Sequence, residues 1–131
     1  MADWEALRTR LQEEFGLDVD QEDELAVTIS RDSAEGQRRA QRVMLSRYRA
    51  FGTTMVEFRS AFGEIGDYDA ESLLVESLRL PVGAVALHGR YLVVAQKDAL
   101  EDLSEEAVVR MLTRVSLLAD VLEGRSGSDR F

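Results

Sequence analysis

No cysteine occurs in the chain, which excludes disulfides and thiolate metal sites and matches the expectation for a reducing compartment. His88 is the single histidine, so a multi-histidine metal centre is excluded as well. Proline is used once, at Pro81, and lysine once, at Lys97. No apolar run approaches the ~18 residues of a membrane span. The acidic N-terminal segment lacks the basic start of a signal peptide, and a cytoplasmic location with no membrane association is expected. No Gly-x-Ser-x-Gly elbow is present, and Gly63-Glu64-Ile65-Gly66 is too short and too acidic for a phosphate loop.

What remains is an Arg-rich, acidic, ordinary globular composition. At 131 residues one domain is expected, spanning 1–124, with 125–131 as a flexible tail. The net charge of −9 is unevenly spread. Residues 1–30 hold nine acids against two arginines, and residues 31–60 reverse this with seven arginines against three acids. The overall acidity argues against general nucleic-acid binding, because phosphate contacts need a basic face.

Hydrophobic spacing divides the chain into elements. Trp4, Leu7, Leu11 and Phe15 form one helical stripe, with Asp3 as N-cap and Gly16 as stop. An acidic stretch, 18–24, reads as a solvated loop. Leu25, Val27 and Ile29 alternate with smaller or polar residues, as in a half-buried strand. Residues 37–49 and 53–62 read as a long hairpin around Ala50-Phe51-Gly52. In its first arm Val43 and Leu45 share a face with Arg47 and Arg49, which leaves that face ambiguous. Asp69 caps a helix through Arg79 that is expected to bury Leu74, Val75 and Leu78, and Pro81 ends it. A second hairpin, 83–96, hinges at His88-Gly89. After a loop at 98–103, Ser104 caps a last helix whose apolar stripe runs from Val108 to Leu122. The order α-β-β-β-α-β-β-α predicts an α+β fold with an antiparallel sheet packed by helices.

Tests for chemistry are negative. The Asp18-x-Asp20-x-Glu22 run fails as a calcium loop, with Asp23 where glycine is required and Ile29 where glutamate is required. A lone His88 at a hairpin tip reads as a turn residue. Arg38, Arg39, Arg42, Arg47 and Arg49 with Tyr48 resemble a single-strand platform, but pairing with acids of the same chain is the favoured reading. No catalytic residue, cofactor, small-molecule ligand or metal is expected. The stretch Tyr91 to Ala95 does not alternate, so both its faces need cover from its own helices or from another chain.

The element order, together with Phe58-Arg59-Ser60-Ala61-Phe62-Gly63, the segment Leu73 to Ala84 and Ala119-Asp120-Val121-Leu122-Glu123, resembles the type III secretion chaperone-like fold and its YbjN-type relatives. The resemblance covers residues 3–123. It implies a homodimer joined through 73–80 and 83–95, with Leu74, Leu78, Leu92 and Val94 at the interface. It further implies an extended partner segment in a groove at Val43, Leu45, Met55 and Val56. An accessory domain without a secretion role, or an inhibitor of a partner enzyme, are the other readings, because a fold alone does not define a function.

Overall fold

A computed structural model describes residues 2–32 and 35–124. The tail expected at 125–131, and part of the turn expected at 32–36, lie outside them. Helix α1 (Trp4–Glu14) starts where the Asp3 carboxylate accepts the Ala6 N–H at 3.0 Å. It ends at Gly16, whose positive φ lets its N–H reach the Leu11 and Gln12 carbonyls.

Six strands follow: β1 (Val19–Asp20), β2 (Glu24–Asp32), β3 (Arg38–Ala50), β4 (Thr53–Glu64), β5 (Ala84–His88) and β6 (Tyr91–Ala99). They form one antiparallel sheet in the order β1-β2-β3-β4-β6-β5. With helices α2 (Ala70–Arg79) and α3 (Glu105–Gly124) the architecture is α+β, as the sequence predicts. One strand was not expected. Val19 and Asp20, in the acidic stretch, pair with Ala26 and Leu25 as the two-residue edge β1. The expected loop at 98–103 is also more regular: β6 runs through Ala99, and a 3-10 turn over Leu100–Asp102 follows with Leu100 buried.

Register aligns the apolar positions. Leu25 lies opposite Leu45, which lies opposite Phe58, so one row crosses β2, β3 and β4 on a single face. Leu92 and Val94 of β6 join the same cluster, together with Trp4, Leu7 and Leu11 of α1, Leu73 of α2, and Val108, Leu112, Val115, Ala119 and Leu122 of α3. All three helices therefore pack on one face of the sheet. Burial of these side chains, each worth about 1.5–3 kcal/mol, is the main stabilising contribution.

Two glycines are dictated by close approach. At Gly83 (φ +70°) an added Cβ would sit 2.8 Å from the Ala95 carbonyl oxygen. At Gly63, beside a register shift in β4, a Cβ would collide with the Tyr68 ring at 2.4 Å. That ring stands edge-on to Phe62, with 5.4 Å between centroids. Its hydroxyl lies 3.2 and 3.1 Å from the Phe62 and Leu122 carbonyl oxygens and ties β4 to α3.

Helix α2 corrects an expectation. Leu73 is its one buried residue, while Leu74, Val75 and Leu78 face outward. Leu73, Leu74 and Val75 are consecutive and equally apolar, so spacing alone does not select which edge of the apolar stripe meets the sheet.

Candidate interaction surfaces

The four residues expected at a dimer seam divide into two pairs. Leu92 and Val94 are fully inside, facing α3 and the core, and so have no surface to offer a second copy. The unalternating run is covered within one chain. Leu92 and Val94 point to the helices, whereas Val93 is buried on the opposite, helix-free face without joining the core cluster. Leu74 and Leu78, one helical turn apart on α2, are 70% and 89% exposed. Val75 and, on α3, Leu117 and Val121 are exposed as well. Val121 shares a cleft with Glu76, Arg79, Leu80 and Pro81 at the end of α2, on the side of that helix away from Leu74 and Leu78. Edge strand β5 adds Leu87, which pairs with core-facing Leu92 and therefore lies on the helix side of the sheet, yet is exposed.

The groove expected at Val43, Leu45, Met55 and Val56 is likewise corrected. Val43, Leu45 and Val56 are buried in the core beneath the helices. Met55 is half-buried and projects from the other face of β4, as strand alternation requires. No common groove unites these four residues.

The ambiguous arm of the first hairpin resolves through its arginines. Arg47 shares the face of Val43 and Leu45, lies 5.1 Å over the Trp4 ring, and donates to Asp23 at 2.8 Å. Arg39, on the same face, donates to Asp120 of α3 at 2.8 Å, and Arg31 of β2 donates to the same carboxylate. On the opposite face Arg42 lies 3.8 Å from Asp18. The acidic stretch is thus a partner for the basic strands, the intramolecular pairing that the sequence favours.

A cavity of about 320 Å³ opens on the helix-free face, where the β3–β4 ladder stops. Met44 opposite Arg59 is the pair at that end of the ladder. Beyond it two side chains span the strands: Ser60 donates to the Arg42 carbonyl at 2.7 Å, and the Gln41 amide donates to the Ala61 carbonyl. The floor is Met44, Ala61 and Val93, and His88 stands at the rim. The sequence singles out Arg42 and His88 separately but does not bring them together, because the site depends on where a ladder ends. Among the described residues no group of three or more histidine, aspartate or glutamate side chains is arranged to hold a metal ion. Nor is any described helix long and apolar enough to cross a membrane.

Compared with protein-family models, with curated proteins and with solved structures, the chain matches none of them.

Proposed function

We propose that this protein is a non-catalytic binding module, a homodimer joined through the outward face of α2 that holds an extended segment of another polypeptide. The observation that carries the reading is the exposed row Leu74 and Leu78 with Val75 on α2. Exposed apolar rows of this kind mark association sites. Glu71 lies one turn before Leu74 and Val75 on this face, and Glu76 lies on the cleft side, so the exposed apolar row carries one carboxylate at its start. A second copy covering this row removes from water the surface that the fold leaves open. The resemblance to secretion chaperones points to the same helix. Strand β5, at the sheet edge with four of five residues exposed, is where a partner segment adds as a further strand.

The test is a double substitution, Leu74→Asp with Leu78→Asp, followed by sedimentation velocity. Both positions are at the surface, so the circular dichroism spectrum stays unchanged while a dimeric wild type becomes monomeric. A variant that sediments like the wild type removes α2 from the seam.

A further inference from the structure

The cavity on the helix-free face is unconnected with the α2 row and has a chemistry of its own. Its floor is made shallowly concave by small residues in register: Ala61 lies opposite Val93, which lies opposite Ala86, across three strands. Met44 completes an apolar surface there. The walls are cationic in a chain whose net charge is −9. Arg59 is held in place, its guanidinium 2.7 Å from Glu57 and 3.9 Å from Glu24, and little of it is exposed. Arg42 is held loosely, 60% exposed with Asp18 at 3.8 Å, so it keeps donors for an incoming acceptor. The β3–β4 crosslinks through Ser60 and Gln41 fix the spacing of floor and wall before any ligand arrives.

We propose that this cavity binds a small organic monocarboxylate, its apolar body on Met44, Ala61 and Val93 and its carboxylate at Arg42. Guanidinium and carboxylate match in geometry and charge, and the floor removes a short hydrocarbon from water. The volume lies near the lower end of ligand cavities, which limits the guest to a small molecule. Glu57 and Glu24 already engage Arg59, whereas Arg42 has Asp18 at 3.8 Å and is more exposed, so Arg42 is the more available guanidinium.

The experiment is an amide NMR titration of the full chain at constant ionic strength with hexanoate, hexan-1-ol, sulfate and a blocked acidic tripeptide as separate probes. Hexanoate is expected to shift the Met44, Ala61 and Val93 amides saturably, with a Kd of about 1–10 mM. Hexan-1-ol and sulfate, which carry the body or the charge alone, bind at least about tenfold more weakly. Arg42→Gln weakens hexanoate by a similar factor. Ala61→Phe fills the floor and abolishes the shifts, and its thermal transition reports whether the fold survives. Should Ala61→Phe fail to fold, the surface variant Arg42→Gln decides alone. Equal binding of hexan-1-ol, no saturable shift with hexanoate, or an unchanged Arg42→Gln variant overturns the proposal. Tighter binding of the peptide than of hexanoate also overturns it, by assigning the cavity to a side-chain carboxylate of a polypeptide.

Discussion

Arg39 on β3 and Asp120 on α3 meet at 2.8 Å across 81 residues of sequence, and Arg31 on β2 donates to the same carboxylate. The Asp120 side chain is only 8% exposed, while both guanidiniums keep contact with water. One buried carboxylate therefore clamps the last helix to two strands. Asp120→Ala leaves the arginines hydrated rather than stranded, so the cost stays below that of a fully buried pair. We expect a loss of about 1–2 kcal/mol in urea unfolding. An unchanged midpoint would show that the clamp contributes nothing.

Charge placed at two leucines of the same sequence type should act in opposite ways. Leu92 is a core residue, and Leu92→Asp buries a carboxylate with no cationic partner, which costs several kcal/mol and unfolds the chain. Leu78→Asp puts the same charge in water and costs the fold of each protomer no more than about 0.5 kcal/mol, beyond the concentration-dependent stabilisation lost with the dimer. Thermal denaturation of both variants checks the pair. A folded Leu92→Asp protein would contradict the assignment of β6 to the interior.

Acid should loosen the start of α2. The Asp69 carboxyl is held below its ordinary value because the Ser72 hydroxyl and then the Ser72 N–H donate to it. A lowered folded-state value means that the cap stabilises above the unfolded carboxylate value, about 3.9, and is lost as pH falls through the folded value. Amide exchange at Ser72 and Leu73 is expected to accelerate over that acid window. Asp69→Asn keeps an N-cap and removes the pH dependence. An identical acid response in that variant would place the titrating group elsewhere.

The tip of the β3–β4 hairpin carries a residue in an unfavourable conformation. Phe51 has φ +54° and is 100% exposed, followed by Gly52 at φ +74°. Two consecutive positive values define the primed turn that asparagine-glycine favours. Phe51→Asn relieves the strain and sacrifices no buried surface, so stability should rise by about 0.5–1 kcal/mol. A fall in stability would reveal a contact made by the ring.

Caps and strand alternation were legible because they are local. Asp3, Asp69 and Ser104 each cap the helix expected of them. The face of α2 was not legible, since Leu73 and Leu74 are adjacent and equally apolar, and only packing against the sheet chooses between them. The sequence leaves open whether the second face around Val93 is covered by its own chain or by another. Val93 is 3% exposed and shares its cavity with Met44, Arg59 and Tyr91, residues of three strands brought together by register rather than by sequence neighbourhood. Arg39 and Arg47 made a core-facing strand look polar because their partners, Asp120 and Trp4, lie at the far ends of the chain.

The absolute mass in solution, measured by light scattering on the eluting wild-type peak, bears most directly on the central claim that α2 seats a second copy. The account predicts twice the 14.7 kDa chain mass, reduced to a single chain mass by Leu74→Asp with Leu78→Asp. A wild-type mass of one chain at concentrations of about 100 μM, well above the Kd of a stable dimer, would contradict it.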